Sequence, residues 1–133
     1  MDQRRGKEMR IVEKPWGKEI WWAHADGKYM GKTLHIKQGH RLSLQYHVEK
    51  DETICVLEGK LKLIHGDLRG FNEVLMARRD IVHEEVLREG QSFRIRPMTV
   101  HRFCADYGDV VLLEVSTDHP DDVVRLKDDY SRG

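Results

Sequence analysis

Apolar and polar residues alternate along this chain in short runs and almost never recur at helical spacing. KEIWWA at 18–23 is followed by further runs at 30–37, 42–48, 52–58, 60–65, 81–87, 92–96, 100–105 and 109–116. The breaks between them carry turn chemistry: Asp26-Gly27, Gln38-Gly39, Glu58-Gly59, Gly66 to Gly70, Glu89-Gly90 and Tyr107-Gly108-Asp109. Short strands at this spacing predict an all-β sandwich or small barrel. The C-terminal stretch departs from the pattern. Asp118-His119-Pro120-Asp121-Asp122 has the composition of a helix cap and first turn, so a short helix or turn is expected between Pro120 and Tyr130. Residues 1–10 are polar and expected to fray, with 11–23 forming an N-terminal strand arm.

Composition narrows the class. The 133 residues are expected to form one domain over 1–133, long enough to bury roughly two-thirds of the unfolded surface. The 23 Lys+Arg equal the 23 Asp+Glu, so the formal net charge is zero, which argues against a nucleic-acid partner held by excess positive charge. Cys55 and Cys104 lie far apart, outside any CxxC spacing, and read as free thiols of a reducing compartment. No apolar run approaches the ~18 residues of a membrane span. MDQRRGKEMR lacks the apolar core of a signal peptide. The expectation is a soluble cytoplasmic protein with no membrane partner.

Candidate chemistry concentrates between Gly39 and Gly59, GHRLSLQYHVEKDETICVLEG. Residues two apart on a strand share a face, so Ser43, Gln45 and His47 point one way and Leu42, Leu44 and Tyr46 the other. After a turn at Glu49-Lys50-Asp51, Glu52 opens the next strand on the face of Ile54 and Val56. An amide oxygen, an imidazole and a carboxylate can therefore converge, a mixed N/O set suited to a divalent first-row metal. His101 in IRPMTVHRF, on the face of Phe103, is the candidate fourth ligand. A hydrogen-bonded polar cluster without a metal is the competing explanation at this point. His24, His65 and His119 fall in turns or at strand ends and read as solvated. His83 in HEEVL does not match the helical HExxH zinc pattern.

The spacing Gly39-x5-Gln45-x-His47-x4-Glu52-x6-Gly59 resembles the first cupin motif, with glutamine at its first histidine position. Gly90 to His101 resembles the second. More specifically, the chain resembles the cupin domain of type II mannose-6-phosphate isomerases, which ends the bifunctional mannose-1-phosphate guanylyltransferase/isomerase enzymes. The match runs from Lys14-Pro15-Trp16-Gly17 through Lys32, the RLSLQ of 41–45, His101-Arg102 and Leu113-Glu114-Val115. It closes with Asp121-Asp122-Val123-Val124-Arg125 and Asp129-Tyr130. The resemblance implies a cupin, a double-stranded β-helix or jelly-roll barrel. It also implies one divalent ion (Zn, Co, Mn, Fe or Ni) on Gln45, His47, Glu52 and His101. The sequence departs from the family where His-His-Arg is usual and Val48-Glu49-Lys50 stands. Lys50 thus occupies an arginine position without offering a bidentate fork. Thr53-Ile54 replaces His-Trp, and Arg96-Pro97-Met98 replaces Pro-x-Gly, so the turn into His101 must be rebuilt. Nothing in the chain has the glycine-rich nucleotide loop of the guanylyltransferase.

Aldose–ketose isomerisation needs a base, charge stabilisation for an enediolate and a grip on phosphate. Lys32, Lys50, Arg41 and Arg125 are candidates for phosphate or enediolate. Glu114, ending the run VVLLEV on the face of Leu112, is the base candidate, with a plain salt-bridge role as its alternative. The leading expectation is interconversion of mannose 6-phosphate and fructose 6-phosphate in sugar-nucleotide and polysaccharide biosynthesis. An Fe(II) cupin dioxygenase and a non-catalytic sugar-binding module are the rivals. The apolar Leu42/Leu44/Tyr46 stripe, with Trp16, Trp21 and Trp22 as cover, predicts a homodimer through that face and the N-terminal strand.

Overall fold

A computed structural model describes residues 4, 8–68 and 82–130. The strands are β1 (Arg10–Lys14), β2 (Gly17–Ala25), β3 (Tyr29–Ile36), β4 (Leu44–Tyr46), β5 (Glu52–Glu58) and β6 (Leu61–Asp67), followed by β7 (Val82–Leu87), β8 (Ser92–Ile95), β9 (Thr99–Cys104), β10 (Val110–Thr117) and β11 (Val124–Lys127). They form a six-stranded sheet, β1-β2-β3-β10-β5-β8, facing a five-stranded one, β11-β4-β9-β6-β7. Every pairing between these strands is antiparallel. The inward residues of both sheets make the core, with Leu34, Ile54, Val56, Leu61, Leu63 and Leu112 almost fully buried. At one end of this apolar filling the inward positions turn polar, and that end holds the candidate site. Cys55 and Cys104 are both free. No helix among the described residues is long and apolar enough to cross a membrane.

Two strands exceed the sequence expectation. RIVEK pairs with β2 through a tight turn at Pro15-Trp16, so Arg10 belongs to a strand. Most of the remaining expectation about residues 1–10, like the end of the Gly66 to Gly70 turn and the start of the 81–87 run, lies outside the described residues. At the C-terminus the expected turn forms at Pro120-Asp121, but no α-helix follows. Val124–Lys127 instead adds to the open edge of β4, where β-branched and apolar residues find backbone partners.

The stretch expected as a strand over 42–48 is regular only at Leu44–Tyr46. Arg41 makes a single bridge to Cys104, and the chain between is irregular, which breaks the alternation. Leu42 consequently points into the main core, away from Leu44. Leu44 and Tyr46 lie on the other side with Val100, Val82 and Leu126, so cover for them comes from this chain's own strands. Trp16 is a core residue, 2% exposed. Trp22 packs its ring over Gly31 on the outer face of the six-stranded sheet. That face, not β4, carries the exposed Ile11, Leu57 and Val115.

Candidate functional site

β4 ends beside His47, and five residues later β5 begins with Glu52, so a short turn sets both side chains at the polar end of the barrel. His101 on β9 stands directly opposite Gln45 on β4 in the sheet register and shares its inward face. His47 Nε2 lies 3.0 Å from Glu52 Oε1, and His101 Nε2 lies 3.3 Å from the same oxygen. All three side chains are at least 95% buried. The far ring nitrogens are fixed by main-chain carbonyls: His47 Nδ1 by Asp122 O at 2.6 Å, and His101 Nδ1 by Thr99 O at 3.0 Å. A carbonyl only accepts, so each Nδ1 carries its proton, and each Nε2 is left facing Glu52, able to give its lone pair to an ion or, with an added proton, to donate to the carboxylate.

This arrangement tests whether a metal ion fits. Glu52 Oε2 and His101 Nε2 are buried without a hydrogen-bond partner, a costly state for polar atoms. Donor atoms of His47, Glu52 and His101 all lie within 4.8 Å of one another. With both Nδ1 atoms protonated, the three inward atoms are satisfied together only by a cation or by extra protons on the rings. The donor set fits a divalent ion. Gln45 lies beside His47 in the pocket wall, its Oε1 accepting a hydrogen bond from Ser43 Oγ at 2.5 Å.

Behind these residues runs a ladder of alternating charge. The cross-strand register places Trp21, Lys32 and Glu114 side by side on β2, β3 and β10. Lys32 Nζ lies 3.1 Å from Glu19 and 3.6 Å from Glu114. Lys50 Nζ lies 3.4 Å from Glu114 Oε2 and 3.7 Å from Glu52 Oε2. Burial alone would lift the pKa of Glu52, but the facing His101 and His47 nitrogens and the Lys50 ammonium hold it well below the usual range. Glu114 goes the other way. Burial and the neighbouring Glu52 charge push it up to about 7, against the pull of Lys32 and Lys50. Burial would discharge Lys50, but Glu114 and Glu52 more than offset that and raise its pKa. Lys50 is therefore a fixed ammonium.

The ladder and the histidines open onto a pocket of about 110 Å³. Trp16 and Trp21 form an aromatic wall, and Lys14, Lys32, Lys50 and Arg125 give it positive charge. Among the sequence candidates, Gln45, His47, Lys32, Lys50 and Arg125 line this pocket, with Glu52, His101 and Glu114 packed behind it. Arg41 is not brought there. Its guanidinium is held by both carboxylate oxygens of Asp129, at 2.7 and 3.1 Å. Lys32 and Lys50 are buried in ion pairs, not solvated hands for phosphate. His24, His65 and His119 each face a carboxylate, of Asp118, Glu85 and Glu49 respectively.

Sequence reasoning missed Glu19, Trp21 and Asp122. Glu19 accepts from Trp21 Nε1 at 2.9 Å and anchors Lys32. The alternation in KEIWW was the available signal, since it places Glu19 and Trp21 on one face. Asp122 is recruited from 72 to 75 positions away; the family-like DDVVR stretch marks the residue, but nothing local announces its partners.

The fold and site define a cupin-type barrel. The cupin-2 domain protein Rru_A2000 from Rhodospirillum rubrum superposes with a TM-score of 0.67 at 12% identity, over 93% of this chain and 79% of that one. KdgF from Halomonas sp. gives 0.63 at 16%, over 86% and 89%. The capsular polysaccharide assembling protein CapF from Staphylococcus aureus gives 0.74 at 13%, over 92% of this chain but 33% of that one, so this chain spans about a third of CapF. A family model described as mannose-6-phosphate isomerase C-terminal matches residues 1–128, and the chain belongs to that family. No curated protein sequence matches it.

Proposed function

We propose that the chain binds one divalent ion in its barrel and interconverts an aldose phosphate with its ketose, mannose 6-phosphate and fructose 6-phosphate being the pair its family name points to. One observation carries this reading. Two buried carboxyls, Glu52 and Glu114, are driven apart in proton affinity beside a His/His/Glu donor set, at the back of a cationic, aromatic-walled pocket. An ion held by His47, Glu52 and His101, with Gln45 beside them, would polarise carbonyl and hydroxyl oxygens. Glu114, titrating near neutrality, is the group able to take a proton from the carbon beside the carbonyl and return it to the neighbouring carbon. The Lys50 ammonium, fixed between Glu114 and Glu52 and facing the pocket, donates to enediolate oxygens. Lys14 and Arg125 suit the phosphate, and Trp21 walls off water. The likeness to CapF, a capsular polysaccharide assembling protein, supports a setting in sugar-nucleotide and polysaccharide synthesis.

One feature favours a second reading, a sugar-phosphate-binding module without turnover. Glu114 stands behind the two lysines, not in the pocket wall. A coupled assay in both directions, after reconstitution with Zn, Co, Mn, Ni or Fe, separates the two. The isomerase reading expects turnover that EDTA abolishes and that His101→Ala lacks. Saturable sugar-phosphate binding with no turnover under any metal establishes the binding module. Activity restricted to iron and dependent on dioxygen would establish the dioxygenase instead.

A further inference from the structure

We infer that Asp122 is a positioning residue for the ion-binding His47, acting through the turn that separates His47 from Glu52. This rests on the metal reading given above. The first three amides of that turn all donate to one carboxylate: Val48 N to Asp122 Oδ1 at 2.9 Å, and Glu49 N and Lys50 N to Oδ2 at 2.7 and 2.8 Å. The main chain of the same residue holds the imidazole, its carbonyl oxygen accepting from His47 Nδ1 at 2.6 Å. On the opposite side, Met98 N donates to His47 O at 2.7 Å. Asp122 is thus a bracket with two arms. Its side chain fixes the backbone carrying His47 and Lys50, and its carbonyl fixes the ring's tautomer and aim.

Removing the carboxylate frees both arms, because the carbonyl keeps its place only while the side chain is anchored. His47 Nε2 then loses its registration on Glu52 Oε1. Partners that orient a ligand in this way typically matter 10- to 100-fold in metal affinity. A mere latch for the C-terminal segment would behave differently, and Asp129 is the internal control. It pins the same segment through Arg41 and Arg102 but touches nothing between His47 and Glu52.

The test is Co²⁺ titration of the full chain at pH 7.5, read from the d–d absorption bands. Asp122→Ala is expected to raise the Co²⁺ Kd about ten-fold or more and to shift the bands. Asp122→Asn, which keeps the side-chain size and one acceptor oxygen, is expected to fall between it and wild type, and it decides the matter if the alanine variant does not fold. Asp129→Ala is expected to lower the melting temperature while leaving the Kd within about two-fold of wild type and the bands unmoved. Wild-type affinity and spectrum in both Asp122 variants would overturn the inference, as would an equal loss in Asp129→Ala. A wild-type chain that takes up no Co²⁺ overturns the metal reading and this inference with it, and is told apart from the other failures by that fact.

Discussion

Glu52 and Glu114 owe their charge states to each other and to the lysines between them, and stability should follow pH accordingly. Glu114 keeps its proton up to about pH 7 in the folded chain, against 4.5 for an ordinary glutamate. Its contribution is therefore full below about pH 4.5 and is lost as pH rises through 7. Asp129 is depressed by hydrogen bonds from Arg41, and Asp122 by the three turn amides, which outweigh its burial. Their contributions exist above about pH 4 and vanish as pH falls through the depressed values. The urea midpoint of chelator-treated protein should peak near pH 5 and decline toward pH 8, and Glu114→Gln should flatten that decline. Lys50→Met leaves two buried carboxyls with one fewer counter-charge and should cost about 3 kcal/mol at pH 7. The loss should shrink at pH 5.5, where the carboxyls share a proton; an equal loss at both pH values would contradict the account. Gln45, His47, Glu52 and His101 were legible as candidates because motif spacing and the two-residue period mark them. Glu19 and Asp122 were not, because they meet their partners through cross-strand register and a returning segment.

The elements bear out the strand pattern where runs are long and alternate cleanly, as in β3, β5 and β10. The pattern fails where local sequence is ambiguous. RIVEK sits in a charged N-terminus, and DDVVRLK reads as a capped helix until β4 offers an edge. Alternation also cannot reveal a break such as the irregular passage at Leu42, which split the expected apolar stripe. The turn into β9 holds a further departure. Met98 adopts φ 67°, a left-handed conformation where the family pattern has glycine. Such a conformation costs a side chain about 1–2 kcal/mol, partly offset by the entropy glycine would lose on folding. Met98 is exposed enough that little packing is at stake. Urea unfolding should find Met98→Gly neutral or up to about 1 kcal/mol more stable, and Met98→Val destabilised by more than about 1 kcal/mol. The reverse order would refute the strained-turn account.

At the scale of the molecule, the two sheets leave their polar end to be closed by what binds there. An ion that binds only the folded barrel adds about 2.7 kcal/mol at a hundred times its Kd. Thermal melts with Zn²⁺, Co²⁺ or Mn²⁺ should rise accordingly and return with EDTA. The rise should vanish in His47→Ala and His101→Ala. An undiminished rise in the histidine variants would place the ion elsewhere. The ladder Glu19–Lys32–Glu114–Lys50–Glu52 also has a consequence for descent. A lysine rung cannot turn neutral alone without stranding a buried carboxylate, so loss of charge at Lys32 or Lys50 needs a compensating change. An arginine at position 50 keeps the alternation and is interchangeable there on charge, whereas a neutral residue at 50 should travel with a neutral residue at 114. The interior of this barrel should therefore be inherited as a set, while its outer face is free to drift one residue at a time.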